Sequence, residues 1–356
     1  IMNMASVNGK VLQFALPGHV LVYHSDNPES DYSDLSMNDA PYAVASLSNG
    51  QLLTACGYEG LKAYNAPKGQ ATLTQPDGTI GGFGPRHNGS FSVEINNGNL
   101  YVCGGRVAMG SRQEGFFGRY DGSNWTDMDE DLIIREQSWD GCGTNAAYKN
   151  LSHVAFDPLN AGHIMVSSYA NGLFEYNDGK FTQLYNYDNS PLQYPKTVRY
   201  DARNRYMLIG DCTYDAEGNL WMTNNYADTI LVVKKTDGTW QRIFTEDTKE
   251  QNYAEKLMFD SRGWIWGNVR YSTNDQSSGF FCLDYNGTIS NQRDDRSKFR
   301  NTAVNEDGTS CSLTGVYAIV EDKDQHIWFV CSEGVFEIED PETMFTSSIF
   351  TVNQPK

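Results

Sequence analysis

Guanidinium groups match anionic groups in a forked geometry, and aromatic faces stack on sugar rings, so the two side-chain types together suit an anionic or glycan ligand. Arg106, Arg112, Trp139, Arg199, Arg203, Arg270 and Tyr271 form such a set, all in long connecting segments. The cations stand out because the chain is acidic: 27 Lys and Arg face 45 Asp and Glu, a formal charge of −18. That balance argues against a nucleic-acid partner, whose affinity depends on neutralised phosphates.

Other chemistry finds weaker footing. Asp127-Met-Asp129-Glu-Asp131 alternates acids like a calcium loop. It has Leu132 where the sharp-turn glycine belongs and Ser138 where the bidentate Glu belongs. Arg86-His87-Asn88 is the one polar cluster resembling an active-site loop, and a glycine-rich turn is the plainer reading. The other histidines are scattered, and neither a nucleophile elbow nor a phosphate loop appears. Paired catalytic carboxylates cannot be assigned without geometry. Cys56, Cys103, Cys142, Cys212, Cys282, Cys311 and Cys331 include no close pair of the zinc-binding kind. They read as buried free thiols, with Cys142 and Cys311 placed in exposed loops. The expectation is a non-enzyme with no cofactor and no metal.

The elements that hold these residues emerge from an internal repeat. Asp215-Ala-Glu-Gly-Asn-Leu-Trp221, Asp260-Ser-Arg-Gly-Trp-Ile-Trp266 and Asp322-Lys-Asp-Gln-His-Ile-Trp328 share one pattern: an Asp, a tight turn, then an aliphatic–Trp pair. Asp starts turns by bonding nearby backbone, and Gly supplies a positive φ. Asn-Gly hairpin turns precede Val11, Leu52 and Leu100 in weaker copies, and a longer turn precedes Ile164. Each unit continues into an aromatic-rich strand such as Gly172-Leu-Phe-Glu-Tyr176 or Gly279-Phe-Phe-Cys-Leu283. The anchors Val11, Leu52, Leu100, Ile164, Leu220, Ile265 and Ile327 lie 41 to 64 residues apart. That spacing predicts an all-β chain, a seven-bladed β-propeller of four-stranded antiparallel blades, as a single domain over 1–356. Leu12, Leu53, Tyr101, Met165, Trp221, Trp266 and Trp328, each one residue past an anchor, belong between blades. Equivalent positions in different blades lie too far apart for a Cys56–Cys331 disulfide. The sequence holds no run of 18 apolar residues that would span a membrane. The opening residues already read as strand, which suggests a start within a longer protein.

Successive strands a to d of a blade alternate direction. The a–b and c–d turns therefore emerge on one face, and the b–c turns and inter-blade connections on the other. The first class is short, as at Asn177-Asp-Gly179, Thr236-Asp-Gly238 and Asn286-Gly287. The second holds the b–c loops 104–114 and 269–278 and the inter-blade segments 122–150, 186–211 and 291–314. Long loops on a rigid scaffold are where binding concentrates. Arg106, Arg112, Trp139, Arg199, Arg270 and Tyr271 are the candidate binding residues of that face.

The Asp-x-x-Gly-x-Leu-Trp unit resembles the repeat of two-component-regulator propellers. A closer resemblance covers roughly residues 40–340. Residues 89–128 with Tyr101-Val-Cys-Gly-Gly-Arg106 and Tyr120-Asp-Gly-Ser-Asn-Trp125, then Phe156-Asp-Pro158, Asn189-Ser-Pro-Leu192, Gly218-Asn-Leu-Trp221 and Tyr285-Asn-Gly-Thr288, look like PorZ-type propellers. The resemblance implies a non-enzymatic surface component of the type IX secretion system of Bacteroidota, a tandem-propeller family that helps attach anionic lipopolysaccharide to secreted cargo. It implies an extracytoplasmic location in the periplasm or on the outer cell surface. Its partners would be a glycan or lipopolysaccharide, or secretion-system proteins. The other readings are a ligand-sensing propeller of a two-component regulator and a carbohydrate-active propeller enzyme.

Overall fold

The computed structural model describes residues 3–7, 11–16, 19–23, 32–36, 42–46, 51–56, 61–65, 72–73, 85, 87, 89–108, 113–138, 147–196, 206–245, 247, 253–270 and 278–354. Strands follow the repeat. The first sheet runs Asn3–Val7, Val11–Leu16, His19–Tyr23, Tyr32–Ser36, and the second Ala43–Ser46, Gln51–Ala55, Leu61–Asn65, Thr72–Leu73. The third holds Ser92–Asn96, Asn99–Gly104, Phe116–Tyr120 and Trp125–Asp127; the fourth Leu151–Phe156, His163–Ser168, Gly172–Asn177 and Lys180–Tyr185. The fifth holds Ile209–Tyr214, Leu220–Asn224, Leu231–Lys234 and Trp240–Ile243; the sixth Leu257–Phe259, Ile265–Val269, Gly279–Asp284 and Arg296–Arg300. Ala318–Glu321, Ile327–Cys331 and Gly334–Ile338 form a three-stranded seventh sheet. All of these pairings are antiparallel, and each repeat anchor lies at or next to the start of a second strand.

First strands of neighbouring sheets touch in sequence from the first sheet to the sixth. The first strand of the seventh sheet packs on the second strand of the sixth, and also on the first strand of the first sheet. Clusters of buried side chains fill the spaces between sheets. Ala155 and Met165 of the fourth sheet pack with Ile209, Leu220 and Met222 of the fifth. Trp221 packs with Ile265 and Phe281, and Trp266 with Ile327 and Phe329. Leu21 of the first sheet leans on Ala318 and Val330 of the seventh. Full burial of each such side chain stabilises by roughly 1.5–3 kcal/mol. Tyr101, Met165, Trp221 and Trp266 are buried between sheets as expected, whereas Trp328 is only half-buried.

The three Asp-to-Trp repeats share one bonding pattern. In each, Asp Oδ1 accepts two backbone N–H groups of the turn: from Glu217 and Asn219, from Arg262 and Trp264, and from Asp324 and His326. The other oxygen accepts the indole N–H six residues on, at 2.9 Å for Asp215–Trp221, 3.0 Å for Asp260–Trp266 and 2.8 Å for Asp322–Trp328. The turn needs a left-handed residue, supplied by Gly218 (φ 83°), Gly263 (φ 82°) and Gln325 (φ 66°). The Asp thus pins both the turn and the inter-sheet Trp.

Several expectations require correction. Segment 122–150 contains the fourth strand Trp125–Asp127 and helix α1, Glu130–Gln137. Strand and helix are too short, at 3 and 8 residues, to show a periodic pattern. Segment 291–314 contains the fourth strand Arg296–Arg300 and a hairpin, Thr302–Asn305 with Ser310–Ser312. The connection at Asn286-Gly287 is accordingly longer than a tight turn. The hairpin turns Cys311 inward, among Ala303, Leu313 and Phe350, with its sulfur 3.5 Å from the Ala303 carbonyl. Cys311 is buried rather than exposed; Cys142 lies outside the described residues. The other described cysteines are buried as expected, Cys56 and Cys331 included. The seventh sheet has three strands, not four: the chain's last strand, Thr351–Val352, pairs in parallel with Thr302–Asn305, and Asn353 alone bridges to Glu337. Helix α2, Thr343–Thr346, lies between the two.

Candidate functional site

The long connections carry the candidate cations. Arg106 follows the second strand of the third sheet and is exposed. Gly105 brings it there: a Cβ on Gly105 would lie 2.3 Å from the Leu151 carbonyl, so only glycine lets the loop run against the neighbouring strand. Arg106 lines a cleft of about 100 Å³ with Tyr42, Phe91 and Gln113. The Tyr42 and Phe91 rings stand 6.3 Å apart and tilted.

Arg270 has a different fate. Its guanidinium donates to Glu255 at 3.1 Å with both side chains largely buried, and the Tyr253 hydroxyl donates to the same carboxylate at 2.9 Å. The guanidinium also lies 5.1 Å from the centre of the Tyr317 ring. The fold therefore uses Arg270 internally. Arg112, Trp139, Arg199, Arg203 and Tyr271 lie outside the described residues.

The remaining sequence candidates are structural ties. His87 Nε2 is 3.0 Å from the buried Glu130 carboxylate and packs edge-on against Phe116, which couples the entry of the third sheet to α1. Arg86 and Asn88 lie outside the described residues. Asp127 accepts the Glu130 N–H, and Asp129 accepts the Phe181 N–H at 2.8 Å, so both carboxylates hold backbone around α1. Among the described residues one group, Asp322, His326 and Glu337, could hold a metal ion by proximity. Its imidazole Nδ1 is 2.7 Å from Glu337, and both Asp322 oxygens serve the turn and Trp328.

Sequence reasoning missed a polar constellation among the first strands. A cavity of about 510 Å³ lies among the first strands, lined by Glu94, His153, Asp211 and Lys256, with Phe156, Leu257, Met258 and Ile319 as apolar wall. Its lining reaches Pro158 and Ala216 in the a–b turns, the face opposite the long loops. Glu94, His153 and Asp211 each occupy the third residue of their first strands. A titratable residue recurring at that register of the first strands is the signal that could have revealed them.

The electrostatics of the cavity follow from enclosure. Burial pushes the Glu94 carboxyl up to about 7, against the pull of Lys256 and with a push from Asp211. Burial likewise raises Asp211 to about 6, held down by backbone N–H donors from Leu257 and Cys212 and by Lys256. Burial, aided by Lys256, lowers His153 to about 3 and keeps it neutral. Its Nδ1–H donates to the Gly210 carbonyl at 3.0 Å, so Nε2 carries the lone pair.

No protein-family model and no curated protein matches the chain. Solved structures do. PorZ, an essential bacterial surface component of the type-IX secretion system of Porphyromonas gingivalis, aligns over 97% of this chain at 20% identity and TM-score 0.66. This chain spans 44% of that PorZ chain. An ancestral GH74 enzyme aligns over 99% of this chain and 46% of its own, at 12% identity and TM-score 0.64. The WD40 β-propeller domain of Doa1 aligns over 96% of this chain and 93% of its own, at 8% identity and TM-score 0.58. These likenesses are of fold: the chain is all-β, built of four-stranded antiparallel sheets like β-propellers. No helix among the described residues is long and apolar enough to cross a membrane.

Proposed function

We propose that the chain is a seven-bladed β-propeller that acts as a non-catalytic, extracytoplasmic binding module. Its long-loop face engages a glycan, such as a lipopolysaccharide, or a protein partner, in an accessory role at the cell surface like that of PorZ. Seven repeat anchors and the contact between first and seventh sheets support the blade count. One observation carries the binding reading: exposed Arg106 beside the Tyr42 and Phe91 rings, a cation at an aromatic-walled cleft on an acidic protein. Arg106→Ala is expected to weaken binding of anionic lipopolysaccharide in a pulldown by about tenfold, the scale of one charge-assisted contact. The variant should keep the parent's urea midpoint. Unchanged binding would remove this face from the account.

A second reading, a carbohydrate-active enzyme, has its own observation: Glu94 and Asp211 come from different sheets and face one cavity. Paired acids with separated proton affinities are the working parts of glycoside hydrolysis. Product release from a polysaccharide panel, lost in Glu94→Gln, would favour it over the binding reading.

A further inference from the structure

The axial cavity offers a set of groups that specify a ligand's chemistry without reference to the long-loop face. His153 is an acceptor there. Its side chain is 7% exposed, its Nδ1–H is committed to Gly210, and its buried Nε2 has no donor among the described residues. Glu94 is exposed to the cavity and is an acceptor when ionised. The Asp211 oxygens are turned to the backbone N–H groups of Cys212 and Leu257, at 2.8 and 2.9 Å, which holds that carboxylate in place. Lys256, half-buried, is the one cationic donor among the four. At pH 8, with Glu94 and Asp211 ionised and His153 neutral, the formal charge of the four sums to −1, which opposes an anion. Phe156, Met258 and Ile319 supply half-buried apolar surface on the same wall.

We infer that this cavity is a binding site for a neutral polyhydroxylated molecule of monosaccharide size. Hydroxyl groups of the ligand donate to His153 Nε2 and to Glu94, another accepts from Lys256, and a carbon face of the ring lies on Phe156 and Met258. A volume of about 510 Å³ falls within the range of small-molecule pockets, ~300–1,000 Å³. Buried polar groups that lose their partners reject analogues strongly, so His153 and Glu94 set the specificity. A ligand bearing a carboxylate meets the negative charge and is disfavoured.

The test is saturation-transfer NMR and calorimetry on the whole chain, with D-glucose, D-galactose, D-mannose, N-acetylglucosamine, myo-inositol and D-glucuronate as probes. At least one neutral probe should bind saturably, and glucuronate at least about tenfold more weakly, the scale of one charge contact. His153→Phe, which removes the acceptor, should weaken binding by a similar factor, and Arg106→Ala should leave it unchanged. Should His153→Phe fail to fold, Glu94→Gln serves instead: it keeps the shape, weakens neutral-sugar binding and narrows the gap to glucuronate. The inference is overturned if no neutral probe binds, if binding ignores both cavity variants, if glucuronate binds equally well, or if a bound probe is chemically converted.

Discussion

Replacing Asp260 with Ala tests whether the Asp–Trp pairing holds the repeat together. Asp260 is buried and accepts from the Arg262 and Trp264 backbone N–H groups and from the Trp266 indole N–H at 3.0 Å. In the alanine variant water replaces much of what the half-buried Arg262 N–H loses, and less of what the buried Trp264 N–H loses. The Trp266 N–H is different, because the ring is fully buried between the sixth and seventh sheets. Stranding a buried donor costs about 1–3 kcal/mol, and losing each bond to a charged acceptor about 1.5 kcal/mol or more. Arg262 keeps Glu321 at 3.2 Å, so its charge is not abandoned. The expected loss is about 3–5 kcal/mol. Asp322→Ala removes the same three bonds where Trp328 is half-buried, and should cost only about 1–2 kcal/mol because water reaches the indole. Urea unfolding followed by tryptophan fluorescence measures both. Equal losses at the two positions, or a loss at Asp260 below about 1 kcal/mol, would refute the view that the buried indole N–H sets the cost.

Two further outcomes follow from local geometry. Gly263→Ala should lower stability by about 1 kcal/mol in the same assay, purely from the left-handed backbone, because an added Cβ would meet no atom within 4 Å. His163 stands between Glu175, 2.9 Å from Nε2, and Asp157, 2.8 Å from Nδ1; the bond to Glu175 above all raises its pKa in the folded state. A raised imidazole stabilises fully below its unfolded value near 6.5 and loses that contribution as pH climbs through the folded value. Relative to His163→Gln, the parent should therefore lose on the order of 1 kcal/mol between pH 6 and 9, and parallel midpoints across that range would exclude the ion-paired imidazolium.

What was legible in the sequence was whatever repeats. Turn chemistry at Asp215, Asp260 and Asp322 and the aliphatic anchors after them locate the second strand of each sheet, because a four-stranded sheet can be rebuilt from one hairpin and its period. Turns at 177–179 and 236–238 also placed two fourth strands, but those of the third and sixth sheets were not legible; Trp125–Asp127 is a short edge strand of only three residues. The indole-to-aspartate bonds were also invisible. Spacing shows that Asp and Trp recur together, but only the fold of the hairpin brings the seventh residue's side chain back to the first. The cavity escaped because its members lie far apart in sequence: Glu94, His153 and Asp211 belong to three sheets, and only the packing of one sheet's first strand on the next makes them neighbours.

The distribution of cations sharpens where a ligand can be met. In a chain with net charge −18, carboxylates claim several of the described Arg side chains. Arg262 reaches Asp260 and Glu321, Arg296 reaches Asp284 and Glu342, and Arg270 reaches Glu255. The Arg262–Glu321 pair ties the sixth sheet to the seventh, and all of these pairs leave little charge to offer a partner. Truncating Arg270 would strand Glu255 in a largely buried place, so a binding defect in that variant would report damage to the scaffold as much as lost contact. Arg106 is exposed beside two aromatic rings and a glutamine, and loss of its charge can be read directly as loss of contact. Residue type alone made the two arginines equivalent candidates; the company each keeps makes Arg106 the one whose substitution is informative.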